Sequence, residues 1–209
     1  MKTPEALQLI GGSLSKPSKM PCASYGLPAE ECKTGSKLRT VKGSTCYNCY
    51  AFRGCYIFTV VKEAQYRRLE ATKGSQWVQA MAVAINSKRS GWFRWHDSGD
   101  IQDLDHLNKI LKVCELTPLT RHWLPTREVW ALDHVERFPW NLTVRFSMPM
   151  VDQSIETAGR FRGRYSRRVF TSTVVTTGAS CPAPRQDGKC NDCRACWDKK
   201  AFNVSYAKH

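Results

Sequence analysis

The pattern of hydrophobic and polar residues divides this chain of 209 residues into three parts. Residues 1–58 show little periodicity and are interrupted by glycine and proline, which predicts an irregular segment rich in loops. Residues 59–178 carry apolar residues at helical spacing and short runs of β-branched and aromatic residues. Residues 179–209 again lack a regular pattern. We therefore expect a core of helices and strands between two irregular segments, all within one domain.

Strands and helices alternate through most of the middle part. Two helices are predicted first, at residues 62–73 and 75–87, with Ser75 as the N-cap of the second. The strands predicted after them cover residues 92–96, 121–124, 141–148 and 168–176, with helices between them at residues 102–116, 127–138 and 152–159. Repeated strand–helix units predict the α/β class, with a parallel sheet that is either open or closed in part as a βα barrel.

Ten cysteines change this picture, because nine of them lie in the two irregular segments. Near the carboxyl terminus the spacing C-x8-C-x2-C-x2-C lets one short turn direct three thiolates at a single point. Four convergent thiolates are typical of a zinc site or an iron–sulfur cluster. The sequence therefore predicts a metal site formed by Cys181, Cys190, Cys193 and Cys196.

A second set of cysteines, near the amino terminus, is a further candidate metal site. It comprises Cys32, Cys46 and Cys49, with Cys22 or Cys55 as the candidate fourth ligand. The two sets hold separate clusters or converge on one, and the sequence leaves both arrangements open. Cys114 stands apart on the apolar face of a predicted helix and is expected in the core.

The type of metal centre and the cellular compartment follow from spacing and length. The triple C-x2-C-x2-C resembles the run that wraps a cubane in ferredoxins, so we expect one or two [4Fe–4S] clusters, with zinc as the alternative. Disulfides are not expected, because a chain of this length buries a core without them and its first residues lack the apolar run of a signal peptide. We therefore expect a reducing cytoplasm. No apolar stretch approaches the ~20 residues that cross a membrane.

Charge adds a candidate partner. Lys and Arg outnumber Asp and Glu by 32 to 18, which gives a net charge of +14 and is typical of proteins that bind nucleic acid. The excess is concentrated where Phe161 and Tyr165 are interleaved with Arg160, Arg162, Arg164, Arg167 and Arg168. Arginine binds phosphate and aromatic rings stack on bases, so these arginines are the predicted nucleic-acid contacts. A solvated loop, or a cap over an anionic site, is the alternative interpretation.

Polar residues follow the predicted strands, where ligands of parallel α/β folds bind. The candidate acid–base and anion-binding residues are His96, Asp97, Asp100 and Arg127. The candidate cofactor-binding residues are Ser98, Gly99, Thr126 and Arg127. Asp100 and Thr126 also fit an alternative role as helix N-caps.

Five motifs together resemble the phage "gene product eighty-eight" family. They are CKTGSKL at 32–38, CYNCYA at 46–51, FRWHDSGD at 93–100, HWLPTRE at 122–128 and the closing cysteine motif at 181–197, which ends in Trp197. The resemblance extends over nearly the whole chain. It implies a viral protein, located in the host cell cytoplasm, from a family without an assigned activity.

A more distant resemblance is to radical S-adenosylmethionine enzymes, which combine an early three-cysteine motif with a partial βα barrel. Cys46-x2-Cys49 followed by Tyr50 is similar to the end of their C-x3-C-x2-C motif. This chain has Lys42 where the first cysteine of that motif belongs, so Cys32 or Cys55 would supply the third ligand. The resemblance implies a cluster with one open iron that binds S-adenosylmethionine.

Three functional hypotheses follow, and the sequence leaves open whether the protein is catalytic and how it oligomerises. The first is an iron–sulfur viral protein, in its most specific form a radical-type enzyme acting on nucleic acid or a nucleotide. The second is a zinc-stabilised nucleic-acid-binding protein without catalysis, and the third a viral accessory or structural protein stabilised by its cluster. The motifs GxGxxG, GxxxxGK[ST] and HExxH are absent, so nothing indicates a Rossmann dinucleotide site, a P-loop or a zincin protease.

Overall fold

The structure, a computed structural model, describes residues 1–208. A sheet of six parallel strands runs through it, and the order of the strands across the sheet is their order along the chain. The strands are β1 (Ala23–Tyr25), β2 (Trp92–Trp95), β3 (Arg121–Thr126), β4 (Leu142–Val151), β5 (Phe170–Val175) and β6 (Asn203–Ala207). Because β1 and β6 form two separate edges, the sheet is open, which confirms the α/β class and selects the open sheet over a closed barrel.

Helices fill most of the connections between the strands. The α-helices are α1 (Thr3–Leu9), α2 (Lys33–Leu38), α3 (Thr59–Ala71), α4 (Trp77–Asn86), α5 (Leu104–Leu116) and α6 (Ile155–Tyr165). The 3-10 helices are Ala29–Glu31, Tyr50–Phe52, Gly54–Ile57, Val129–Arg137 and Ala183–Arg185. α5 begins after Asp103, whose carboxylate accepts a hydrogen bond from the amide of His106 (2.8 Å) and so satisfies one of the free amides of the first turn.

Two of the six strands lie where the sequence predicted irregular structure. β1 has three residues and β6 has five, and each adjoins a cysteine-rich loop, so neither presents a hydrophobic run long enough to detect. Each terminal segment therefore supplies one edge of the sheet. Two smaller predictions differ from the structure: the helix predicted at residues 127–138 is a 3-10 helix at Val129–Arg137, and the N-cap of α4 is Gln76, not Ser75.

The helices cover one face of the sheet and enclose the main core. Successive side chains of a strand point to opposite faces. Those of Phe93, Trp95 and Leu124 point to the helical face, where they are buried with residues of α1, α4, α5 and α6. Cys114 of α5 is fully buried in this core, as predicted.

The opposite face of the sheet is covered by residues 181–201, here called the cysteine segment, instead of a helix. The ring of Trp123 in β3 packs there against Trp197, with 5.3 Å between ring centroids, and Cys22 completes a small second core. The indole N–H of Trp197 donates to the carbonyl of Phe93 in β2 (2.8 Å). The cysteine segment is therefore part of the packing of the sheet.

Candidate metal centres

The four carboxyl-terminal cysteines line one small cavity on the second face of the sheet. The other residues that bound this cavity are Pro182, Ala183, Ala195, Trp197 and Val204. The metal-binding side chains of the lining are therefore the thiols of Cys181, Cys190, Cys193 and Cys196. All ten cysteines of the chain are free thiols. The fold thus brings together the four residues of the predicted terminal set.

Backbone hydrogen bonds attach the cysteine segment to distant parts of the chain. The amide of Cys190 donates to the carbonyl of Lys19 (2.9 Å), which precedes β1. The amide of Cys181 donates to the carbonyl of Ser205 in β6 (2.9 Å). The segment is thus joined to both edges of the sheet.

Arg145 of β4 binds the cysteine segment from the side of the sheet. Its side chain is fully buried and donates to the carbonyl oxygens of Cys196 (2.9 Å), Ala195 (2.7 Å), Asp198 (2.8 Å), Ala201 (2.9 Å) and Thr171 (3.2 Å). Within residues 1–208, this guanidinium forms no ion pair with a carboxylate. A positive charge is therefore buried beside the cysteine segment with neutral acceptors alone.

Burial raises the pKa of two thiols of this site, Cys190 and Cys196. It raises the pKa of Cys196 to about 11, although the Tyr206 hydroxyl, 3.2 Å from the sulfur, opposes the shift. Burial also raises the pKa of Cys22 to about 12, opposed by Arg94 and reinforced by Cys190 and Cys196. Cys22 therefore lies beside the terminal set. Metal binding at this site has to displace protons from its ligands.

The terminal thiols share a cavity without surrounding a common point. Among residues 1–208, no group of three or more His, Cys, Asp or Glu side chains is arranged so that it could hold a metal ion. The residues fit a thiolate centre in number, in chemical type and in their apolar surroundings. A metal centre there requires the cysteine side chains to rotate toward one another.

The amino-terminal set, Cys32, Cys46 and Cys49, gathers at a different place, beyond the carboxyl ends of β2 and β3. A β-carbon added at Gly35 would lie 3.6 Å from the sulfur of Cys32 and 3.8 Å from that of Cys46. Burial raises the pKa of Cys32, and the charges of Asp100, Cys49 and Cys46 raise it further. Three thiols therefore lie near the carboxylate that follows β2. The remaining candidate ligand, Cys55, is exposed in the 3-10 helix Gly54–Ile57.

Two consecutive residues after β3, Arg127 and Glu128, contact the cysteine loop, residues 32–62, at two places. The carboxylate of Glu128 accepts hydrogen bonds from the amide and the hydroxyl of Thr34, each at 2.9 Å. The guanidinium of Arg127 donates to the hydroxyl of Thr45. Thr34 and Thr45 flank the stretch between the first two cysteines of the set. We call this pair of contacts the Arg127–Glu128 clamp, and it fixes the loop to the end of β3.

Asp100 connects the ends of β2 and β3. Its carboxylate accepts hydrogen bonds from the Thr126 hydroxyl (2.6 Å) and from the amides of Ile101 and Arg127 (2.8 Å each). Other residues cap the helices that follow, so the alternative capping roles of Asp100 and Thr126 are wrong. Burial raises the pKa of Asp100 to about 6, against the effect of these hydrogen bonds. A carboxyl with a raised pKa beside thiols is typical of functional sites.

Three other candidate residues after β2 are engaged in contacts within the protein. Asp97 accepts a hydrogen bond from the hydroxyl of Ser24 (2.8 Å). Ser98 donates to the carbonyl of Leu27 (2.8 Å). Gly99, at φ +78°, packs so closely on Leu27 that an added β-carbon would lie 2.6 Å from the β-carbon of Leu27. These residues therefore join the end of β2 to β1 and to the segment that follows it.

His96 lies in the layer between the sheet and α5. Its ring packs against that of His106, with 5.5 Å between centroids. Both nitrogens of the His96 ring are buried and have no hydrogen-bond partner among the described residues. Burial, together with the charges of His106 and Arg94, lowers the pKa of His96 well below its ordinary value. This enclosed, neutral position gives no support to an acid–base role.

The predicted nucleic-acid contacts lie on and just after α6. The side chain of Arg162 donates to the carbonyl of Val169 (2.8 Å), and that of Arg168 pairs with the carboxylate of Glu136 (3.0 Å). The remaining three, Arg160, Arg164 and Arg167, are exposed. Part of the run is therefore engaged within the protein.

These features define an α/β protein with an open parallel sheet and two sets of free cysteines, one on a face of the sheet and one beyond its carboxyl edge. The chain matches the family described as Gene product 88 over residues 2–199 and belongs to that family. This confirms the first resemblance seen in the sequence, and no match supports the second, to radical S-adenosylmethionine enzymes. No curated protein and no solved structure matches the chain.

Within residues 1–208, the helices lack the length and apolar character needed to span a membrane.

Replacement of Arg145 by lysine should destabilise the protein and loosen the cysteine segment. A lysine cannot reach five carbonyl oxygens at once, so buried acceptors lose their partner. We expect the free energy of unfolding, measured by chemical denaturation, to fall by about 3 kcal/mol. Amide exchange in residues 190–201 should accelerate. The exposed Arg137→Lys serves as the matched control, and equal losses in the two variants would contradict the assigned role of Arg145.

Proposed function

We propose that the protein is an iron–sulfur protein that holds a [4Fe–4S] cluster on Cys181, Cys190, Cys193 and Cys196. The observation that carries the proposal is the cavity lined by these four thiols and otherwise by apolar residues. Soft thiolate ligands favour iron–sulfur clusters and zinc over hard cations. The C-x2-C-x2-C spacing favours the cluster.

The charge of Arg145 supports an anionic occupant of the cavity. A buried cation without a counter-ion is unfavourable, and this guanidinium is bonded to carbonyl oxygens alone. A [4Fe–4S] cluster with four thiolate ligands carries about two negative charges. Such a cluster would supply the counter-charge that Arg145 lacks within the described part of the chain.

Zinc on the same four cysteines is the alternative. In a tetrahedral zinc site the sulfurs lie about 3.8 Å apart, as follows from a Zn–S distance of about 2.3 Å. The ligand sulfurs of a [4Fe–4S] cluster lie farther apart than those of a zinc site. The four thiols therefore need to approach one another less closely to hold a cluster. With zinc in the cavity the protein would be a zinc-stabilised binding protein without catalysis.

Replacement of Cys193 by alanine should remove one cluster and destabilise the fold, because the free energy of metal binding contributes to folding. In anaerobically purified protein we expect iron to fall by about four atoms per chain, the content of one [4Fe–4S] cluster. Cys114→Ala is the control, since it also removes one thiol but lies outside both cysteine sets. It should lower stability and leave the iron content unchanged. Full iron content in Cys193→Ala would refute this ligand set.

The position of the amino-terminal set favours a second function, that of a radical-type enzyme acting on nucleic acid or a nucleotide. Ligands of parallel α/β folds bind beyond the carboxyl ends of the strands, and these three thiols lie there beside Asp100. A cluster with three protein ligands has one iron open to S-adenosylmethionine. The nearby polar residues Thr126 and Arg127 are the candidates to position that cofactor.

Binding of S-adenosylmethionine tests this second function. We expect the iron-replete protein to retain the cofactor in anaerobic equilibrium dialysis, and Cys49→Ala to lose it. Cys193→Ala protein that remains folded by circular dichroism should still bind, because it alters the other cysteine set. Failure of the iron-replete wild type to bind would eliminate the radical-enzyme function and leave the first proposal intact.

The third function, a viral accessory or structural protein, would then be favoured. In that case the cluster would stabilise the cysteine segment on the sheet without taking part in a reaction. Each of these functions depends on free thiols, which persist in reducing compartments. The proposal therefore places the protein in the cytoplasm of the host cell.

A further inference from the structure

The outer surface of the cysteine loop, residues 32–62, has a one-sided charge pattern. The stretch contains no Asp or Glu and six basic residues, Lys33, Lys37, Arg39, Lys42, Arg53 and Lys62. Lys62 pairs with Glu30 (2.8 Å), whereas the other five form no ion pair within residues 1–208. We call the solvent-facing part of residues 32–62 the loop surface.

Apolar side chains are exposed on or next to the loop surface. Seven of the fourteen large hydrophobic residues exposed within residues 1–208 lie between positions 41 and 66. Phe58 is 58% exposed and Tyr47 is 47% exposed. Grouped exposed apolar residues mark binding surfaces in soluble proteins. Because basic and aromatic residues occur together here, the ligand has to offer both negative charge and flat apolar groups.

Three carboxylates border the loop surface: Glu30 pairs with Lys62, and Glu31 and Glu63 are exposed. The three carboxylates beneath the loop surface do not neutralise it. Asp97, Asp100 and Glu128 are buried, and each accepts hydrogen bonds from neighbouring hydroxyl or amide groups. Their charges therefore face inward. The positive charges of the loop surface face outward.

We propose that the loop surface binds single-stranded nucleic acid. Basic side chains along the loop follow a phosphate backbone, while Tyr47 and Phe58 stack on unpaired bases. A duplex hides the faces of its bases, so it fits this surface less well. The loop surface surrounds the amino-terminal cysteine set, so a bound strand passes close to the edge of the sheet where ligands of this fold class bind. The inference stands whether or not a cluster is bound.

The loop surface fits such a ligand better than the arginine run of α6 does. Phe161 of that run is stacked on Phe146, with 4.4 Å between centroids, and Tyr165 packs against Phe161 at 5.1 Å. The rings of the run are thus partly buried and packed against the core. Two of its five arginines, Arg162 and Arg168, also form contacts within the protein.

Fluorescence anisotropy of a labelled oligothymidylate of about 15 nucleotides tests the proposal, with the full chain purified anaerobically. We expect binding that weakens as salt rises. Replacing Lys33, Lys37 and Lys42 together by serine should reduce the slope of log affinity against log salt by about 2, since each phosphate that the protein no longer neutralises lowers it by about 0.7. Tyr47→Ala and Phe58→Ala should each weaken binding about tenfold.

Two control variants separate the loop surface from other sites. The double variant Arg164→Ser, Arg167→Ser removes exposed charges from α6, and Leu119→Ala removes a side chain that is 92% exposed at the amino end of β3. Both should leave affinity unchanged. The proposal would be overturned if the protein did not bind the oligonucleotide at low salt, or if only the α6 variant lost affinity for it. Equal affinity for a duplex, or binding of anionic lipid vesicles in place of the oligonucleotide, would also overturn it. Iron content measured on every preparation distinguishes these failures from loss of the cluster.

Discussion

The buried guanidinium of Arg145 determines how the two halves of this protein fit together. It lies in the middle of a sheet strand, where an apolar side chain would pack without cost, and it bonds to four carbonyl oxygens of the loop from Ala195 to Ala201. Those bonds keep the cysteine segment on the second face of the sheet, where Trp197 packs on Trp123. They also leave a positive charge beside four thiols. One residue thus positions the cavity and favours an anion within it.

The second cysteine set depends on the carboxyl edge of the same sheet. Because the strands are parallel and in sequential order, the residues after β2 and β3 meet at one edge, and the Arg127–Glu128 clamp fixes the cysteine loop to it. Arg94 lies between the two sets. Its guanidinium sits 4.6 Å from the ring of Trp123 and donates to the hydroxyl of Tyr50 in the cysteine loop (3.3 Å). Arg94 therefore contacts residues beside both sets.

The sequence predicts the parallel α/β sheet, four of its six strands and the composition of both cysteine sets, since periodicity and spacing are local signals. It does not predict β1 or β6, whose pairing depends on distant strands. A charge inside the apolar run of β4 was a visible signal at Arg145, but its partners lie about fifty residues further along, beyond any local pattern. The predicted capping role of Asp100 was wrong for a related reason. Its carboxylate accepts hydrogen bonds from Thr126 and Arg127, which are remote in sequence. Spacing likewise placed Cys22 among the candidates for the amino-terminal set, whereas it lies beside the carboxyl-terminal set.

The most direct test of a cluster held beside Arg145 is anaerobic purification of the unaltered chain, followed by an absorption spectrum and analysis of iron, sulfide and zinc. The expected result is a brown protein with a broad band near ~400 nm and about four iron and four sulfide per cluster. A colourless protein with one zinc would replace the cluster by the alternative metal. A folded protein free of both metals would contradict the metal centre itself, and the buried charge of Arg145 would then need a different explanation.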